Sequence, residues 1–213
     1  MSLNFSFKYI LLILASIFFI FISVSGVLFL LLKYDLIYEY NYNFYPITER
    51  TSLEIEEIRE INNKIKNYFF DKSEYLDVSI FNDKEIYHMK DVKEIINNIF
   101  IYGKLLSILF VLITLLCVKR YKLNVYSVFK LSSIIYTFIV ITIALGFLIS
   151  FNKMFKIINE IAFSNVLWKL NINEDYLLMM YPENFFRDIA ILILISSISI
   201  NFLLFFSFRF LKK

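Results

Sequence analysis

The sequence contains a single histidine, His88, and two carboxylates lie at helical spacing from it. Glu85 comes three residues before His88, and Asp91 follows three residues after it. Residues three apart on a helix share one face, so a helix here would place both carboxylates near the imidazole. Histidine exchanges protons near neutral pH, and a nearby carboxylate can fix its tautomer and raise its basicity. The group therefore predicts a proton-transfer site, and the alternative is a structural histidine.

Composition excludes several other kinds of site. Cys117 is the only cysteine, so the chain can form neither an internal disulfide framework nor a cysteine-based metal site. With one histidine, a zinc site would need several carboxylates, and no HExxH-type spacing exists. Only three glycines are present, without a phosphate-binding glycine motif. The net charge of +3 and the absence of a basic stripe predict no nucleic-acid partner.

Four long apolar stretches dominate the chain. Hydrophobic residues make up 59% of it and the mean hydropathy is +0.67, while the charged residues cluster between the apolar stretches. About 20 apolar residues span a bilayer core of about 30 Å. We therefore predict one membrane domain over residues 1–213, an all-α bundle of four transmembrane helices. The predicted spans are residues 9–32, 100–118, 131–151 and 189–208.

The distribution of lysine and arginine predicts the orientation of these spans. The loop 119–130 holds four basic residues and no acid. By contrast, segment 34–99 holds fourteen acids and eight bases, and segment 152–188 holds five acids and four bases. Because cytoplasmic loops are enriched in Lys and Arg, both termini are predicted to be cytoplasmic and both polar segments extracytoplasmic. The C-terminal tail agrees, since its charges are all basic: Arg209, Lys212 and Lys213.

The first polar segment predicts a small α+β cap outside the membrane. Aromatic and polar residues alternate over 38–44, and apolar and polar residues alternate over 76–81, which is typical of half-buried strands. Residues 51–54 resemble a capping box that opens a helix between the two strands. A further helix start near Asn82 predicts that the His88 helix runs into the second span. The apolar stripe of the helix between the strands is expected at Ile58, Ile61, Ile65 and Tyr68.

Four short runs carry a family resemblance. Residues 38–45 and 88–93, followed by 159–168 and 181–186, resemble motifs of the bacterial lipoprotein intramolecular transacylase family. The runs occur in matching order within the same four-span layout. Asn159 stands where that family has a second functional histidine.

The resemblance implies a reaction and its partners. Members act on diacylglyceryl-modified lipoproteins among membrane lipids and need no cofactor. They move the sn-2 acyl chain onto the amine of the N-terminal cysteine and leave the lyso-form. The resemblance implies that His88 is the functional histidine, and its chemistry predicts a general base and acid, with Asn159 a polar partner that orients the substrate or contacts the oxyanion. The helical spacing adds Asp91 or Glu85 as the orienting carboxylate of His88.

The sequence is also compatible with two other classes of function. A family member without catalytic activity would bind lipid or lipoprotein, and a sensor or assembly subunit would use the cap for protein contacts. Within the spans, Gly103 and Gly146 predict either close helix packing or places for lipid tails.

Overall fold

The computed structural model describes residues 2–211, with side chains from residue 7 onward. Lys212 and Lys213 of the predicted basic tail lie outside the described residues. Within residues 2–211 the chain is helical without a strand. The helices are α1 (Ser2–Lys33), α2 (Leu36–Phe44), α3 (Ile47–Thr51), α4 (Ile55–Tyr68), α5 (Asp83–Tyr121), α6 (Val125–Ala162), α7 (Tyr176–Met180) and α8 (Glu183–Leu211).

Four of these helices, α1, α5, α6 and α8, are long and apolar enough to cross a membrane. The predicted all-α membrane protein with four such helices is therefore confirmed. Many of their large apolar side chains point away from the protein, including Phe138, Leu148 and Ile149, which are 73%, 82% and 85% exposed. Lipid tails make such exposure favourable, whereas water would not.

The prediction of two strands in the α+β cap is wrong. Residues 38–44 form most of α2, whose buried residues Ile37, Tyr38 and Asn41 follow a helical spacing. The aromatic alternation misleads because the rings do not share one buried face: Phe44 is 71% exposed, while the Tyr40 hydroxyl reaches the carboxylate of Asp188. Long-range contacts of individual side chains decide the conformation here, not a sheet.

Residues 76–81 are also not a strand. Leu76 and Val78 are buried and Asp77 and Ser79 are exposed, as the alternation predicts. The alternation ends there, because Phe81 is buried on the face predicted to be polar and Ile80 is only half-buried. The chain nevertheless turns, since the Phe81 amide donates to the Val78 carbonyl at 3.2 Å. Burial of alternate side chains does not require a strand when a tight turn achieves it.

The helix predicted within segment 34–99 is confirmed as α4. It buries Ile58, Ile61, Ile65 and Tyr68, the expected apolar stripe. Its capping box is formed by Glu54 and Glu57, three residues later than the predicted one. In it, the Glu57 carboxylate accepts from the Glu54 amide at 2.9 Å.

The chain divides into two compact units. The apolar unit comprises residues up to 28, residues 99–148 and those from 191 onward, and the polar unit comprises residues 29–98 and 149–190. In the apolar unit a core cluster of Leu12, Ala15 and Val128 joins α1 to α6.

Close packing explains Gly103 within the apolar unit. A Cβ at Gly103 would lie 2.5 Å from the Ser25 Oγ, so α1 and α5 approach closely there. This close approach favours helix packing over a place for lipid tails as the role of Gly103, because small residues allow helix backbones to come together in membranes.

A buried asparagine on α8 connects three helices of the apolar unit. Asn201 Oδ1 accepts from the Ser132 hydroxyl on α6 at 2.5 Å, and its Nδ2 donates to Ser23 Oγ on α1 at 3.1 Å. The same Nδ2 donates to the Ser197 carbonyl at 2.9 Å. Every polar atom of the Asn201 side chain is thus paired, which apolar surroundings require.

A break at Ser150 divides α6. The backbone there is extended, with φ −169° and ψ 104°. The Ser150 hydroxyl accepts from the Lys153 amide at 3.3 Å, so it serves as an N-cap for the second part of the helix. Residues 151–162 therefore form a separate short helix, which leads to the motif residues 159–168.

Candidate active site around His88

His88 lies on α5 in the polar unit, half-buried and packed against an aromatic ring. Its imidazole meets the ring of Phe163 edge-on, with centroids 4.9 Å apart and an interplanar angle of 66°. Within the described part of the chain, the buried Nδ1 of His88 has no hydrogen-bond partner. A buried imidazole nitrogen without a partner is costly for a structural histidine, so a purely structural role does not explain its position.

The surroundings keep the imidazole neutral. Burial lowers the pKa of His88 from 6.5 to about 4, Asp91 acts in the opposite direction, and Lys84 adds to the lowering. At neutral pH the ring therefore has a free lone pair on one nitrogen, the form that accepts a proton.

Asp91 links the His88 helix to the chain that follows α6. Its Oδ2 accepts a hydrogen bond from Nδ2 of Asn165 at 2.8 Å. Asn165 is itself held by the Leu167 amide, which donates to its Oδ1 at 3.0 Å. The predicted nearness of Asp91 to His88 is present as an electrostatic interaction that favours the protonated ring.

Glu85 caps the start of α5 and contacts α7, while its role in orienting His88 stays a prediction. Its side chain is fully buried, and its Oε2 accepts from the Asn82 amide at 2.7 Å while Asn82 Oδ1 accepts from the Glu85 amide at 3.1 Å. This is a reciprocal cap at the start of α5. Its Oε1 accepts from the Leu177 amide of α7 at 2.5 Å. Both oxygens are thus engaged in holding α5 and α7.

The burial of Glu85 also affects its protonation. Desolvation raises the pKa of this carboxyl, although the amides of Leu177 and Asn82 oppose the rise. The two amide donors stabilise the ionised form of Glu85 where burial alone would neutralise it.

Asn159 lies on the short helix after Ser150 and is half-buried. Its side-chain Nδ2 donates to the Phe155 carbonyl at 2.8 Å, and its backbone carbonyl accepts from the backbone amide of Phe163 at 2.9 Å. Asn159 is therefore one turn from the ring that touches His88. The structure links the two through Phe163 and shows no direct hydrogen bond between these two described side chains.

Two neighbours of the site were not singled out from the sequence. Phe163 packs on the imidazole and Asn165 binds Asp91. The only signal available was their place inside the motif run 159–168. Across residues 2–211, no group of three or more His, Cys, Asp or Glu residues could hold a metal ion.

The sequence model of a family described as lipoprotein intramolecular transacylase Lit matches residues 9–186. Among curated proteins, no significant match was found.

Solved structures of the membrane integral lipoprotein intramolecular transacylase Lit from Bacillus cereus have the same fold. One has a TM-score of 0.84 at 20% sequence identity, covering 97% of this chain and 96% of that one. A variant of that protein with histidine replaced by arginine has a TM-score of 0.83 at 19% identity, covering 99% and 94%. A histidine-to-alanine variant gives 0.82 at 19% identity, covering 99% and 96%. Since the family's sequence pattern spans most of the chain, this protein belongs to the lipoprotein intramolecular transacylase family.

Proposed function

We propose that this protein transfers the sn-2 acyl chain of a diacylglyceryl lipoprotein to the α-amine of that lipoprotein's N-terminal cysteine. The observation that carries the proposal is the half-buried imidazole of His88, with its unpaired Nδ1, in a member of this family. The product is a lipoprotein with an N-acyl group and a monoacyl glyceryl group. The reaction consumes one ester and forms one amide, so it needs no water and no cofactor.

His88 would carry the proton between the two halves of the reaction. The neutral amine attacks the ester carbonyl, and a C–N bond forms as the carbonyl oxygen becomes negative. His88 takes the proton from the attacking nitrogen. The C–O bond to the glyceryl oxygen then breaks, and His88 returns its proton to that oxygen. The imidazole ends in the neutral form in which it began.

The lowered pKa of His88 has opposite effects on the two steps. A pKa of about 4 leaves the ring neutral at neutral pH, but it also makes the ring a weaker base toward the attacking amine. Once protonated, such a ring is a stronger acid than an ordinary imidazolium, which favours proton return to the leaving alkoxide. Asp91 limits this effect by stabilising the charged ring, and Asn165 holds Asp91 in place.

Asn159 is proposed to contact the negative oxygen of the tetrahedral intermediate. An amide group cannot shuttle protons at neutral pH, but its Nδ2 has two hydrogens and one of them is used by the Phe155 carbonyl. The second hydrogen can be donated to substrate. Fixed donors of this kind stabilise developing negative charge in a site poor in water.

The polar unit is proposed to lie outside the cytoplasm. The lysine and arginine counts support this orientation, with spans near residues 9–32, 100–118, 131–151 and 189–208. Lipidated N-termini are then presented at the membrane surface beside His88, while acyl chains remain in the bilayer.

The proposal can be tested in a host that lacks N-acylation of lipoproteins. Mass spectrometry of a lipoprotein's N-terminal peptide after expression of this protein is expected to show an N-acylated, monoacyl glyceryl form. His88→Gln is expected to abolish that product, while Lys64→Gln, an exposed substitution on α4, leaves it unchanged. An unchanged diacyl form at full expression, or activity that survives His88→Gln, contradicts the proposal and favours a lipid-binding or sensory role.

A further inference from the structure

A polar cleft lies in the polar unit at the end of α1. It has a volume of about 320 Å³ and is open on one side. This volume is at the lower end of the range for small-ligand sites, roughly 300–1,000 Å³. The site described around His88 uses none of its lining residues, which are Lys33, Lys66, Asn67, Phe70 and Asp71.

The charges around the cleft leave one lysine without a carboxylate partner. Lys66 forms an ion pair with Asp35, and Asp71 Oδ1 accepts from Lys93 Nζ at 2.9 Å. No carboxylate among the described residues forms an ion pair with Lys33. Two lysines and one aspartate line the cleft, so it carries a net positive charge although the segment 34–99 as a whole is acidic.

An aromatic floor and an apolar edge adjoin this charge. The Lys33 ammonium lies 5.0 Å from the centre of the Phe70 ring, and Phe70 meets Phe29 edge-on with centroids 5.5 Å apart. Phe29 and Leu30 on the last turn of α1 are 42% and 51% exposed. The cleft therefore opens where an apolar helix surface ends at a lysine, the level at which lipid head groups lie.

We propose that this cleft binds the phosphodiester of an anionic membrane phospholipid. The head group enters between Lys33 and Lys66, Asn67 can donate to a phosphate oxygen, and the acyl chains lie along Phe29 and Leu30. Lysine binds phosphate as a point charge and needs no bidentate geometry, which suits two lysines on separate helices. The end of α1 supplies the apolar contact that a free phosphate ion would not use.

This ligand differs from the proposed substrate. The diacylglyceryl group of a lipoprotein carries no phosphate, so phospholipid binding here goes beyond acyl transfer at His88. The phospholipid site is therefore tested by measuring lipid binding, which needs no catalytic activity.

Native mass spectrometry of the purified full-length chain in detergent is the proposed experiment. Phosphatidylglycerol is expected to bind about fivefold more tightly than phosphatidylcholine with the same acyl chains, since a lysine near an anionic surface contributes about that factor. Lys33→Gln is expected to remove this preference. Lys66→Gln, a second variant in case the first does not fold, is expected to reduce it.

The matched control is Lys64→Gln, on the same helix as Lys66 but paired with Glu60 and outside the cleft. It is expected to bind phosphatidylglycerol as the wild type does. Equal binding of the two lipids by the wild type refutes the site, as does an unchanged preference in a folded Lys33→Gln. If soluble glycerol phosphate binds as tightly as the lipid, the cleft is an anion site and the lipid assignment is wrong.

Discussion

At the scale of single residues, His88 is the group on which the chemistry depends, and its burial predicts a pH effect on stability. Its pKa is about 4 in the folded protein against 6.5 for an unburied imidazole. Between these values the unfolded chain binds more protons than the folded one, so stability falls as the pH falls from 6.5 to 4. The loss from this group reaches roughly 2–3 kcal/mol at pH 4.

Thermal unfolding of the full-length protein in detergent at pH 7 and pH 4.5 measures this effect. His88→Gln keeps a polar side chain but cannot titrate, so its midpoint is expected to fall less over that interval than the wild type's. Parallel losses in the two proteins contradict a neutral, buried ring. All other titrating groups are common to both chains, and their contributions cancel in the comparison.

Asn159 provides a second prediction at this scale. As a hydrogen-bond donor to the oxyanion, it is expected to contribute about 10²-fold to the rate, so Asn159→Ala lowers acyl transfer by that order. Asn159→Asp, which loses the donor when ionised, is expected to be no better than alanine. Asn159→His restores a donor and is expected to retain most of the wild-type rate. Rates are measured on a synthetic diacyl lipopeptide in detergent, and equal activity of the alanine variant and the wild type removes Asn159 from the mechanism.

At the scale of helices, the network around Asn201 fixes the packing of three apolar helices. Asn201→Ala leaves the Ser132 and Ser23 hydroxyls without their partner on α8, and a loss of about 1–2 kcal/mol in stability is expected. Ser199→Ala is the control, because the exposed Ser199 hydroxyl bonds only to Ile195 of its own helix. Thermal unfolding of the two variants in detergent separates them, and equal midpoints show that the network adds nothing.

The sequence predicted those elements whose signal is local. Long uncharged runs predict membrane helices because the bilayer admits few alternatives, and the stripe on α4 follows from helical spacing alone. The predictions that were wrong concern segments whose conformation depends on contacts with residues distant in the sequence. Residues 38–44 form a helix in which the Tyr40 hydroxyl donates to Asp188, and the hydroxyl of Tyr45, just after this helix, donates to the same carboxylate, more than 140 residues away. Such a contact has no signature in local alternation.

Contacts with distant residues also explain why the hydrogen bonds of Glu85 and Asp91 were not predicted from the sequence. Glu85 has the right spacing to orient His88, yet its acceptor oxygens are taken by Asn82 nearby and by Leu177, 92 residues later. Asp91 is held by Asn165, 74 residues away. Spacing on one helix identifies which side chains share a face, but it cannot show which of them a distant segment has already engaged.

At the scale of the whole molecule, the proposed reaction requires His88 to face the side of the membrane where lipidated N-termini emerge. The loop 119–130 carries four basic residues without an acid, and both segments of the polar unit are more acidic than basic. Insertion of this charge pattern is expected to leave the loop in the cytoplasm and the polar unit outside.

The single cysteine makes this orientation measurable. With the buried Cys117 replaced by serine, one new cysteine is placed at Lys72 or Asn173 in the polar unit, or at Asn124 in the loop, all of which are exposed positions. A maleimide that cannot cross membranes is expected to label Lys72→Cys and Asn173→Cys on intact cells, and Asn124→Cys only after lysis. Labelling of Asn124→Cys alone on intact cells would place His88 in the cytoplasm. An imidazole on that side could not meet a lipoprotein whose modified cysteine lies across the bilayer, however well its pKa suited proton transfer.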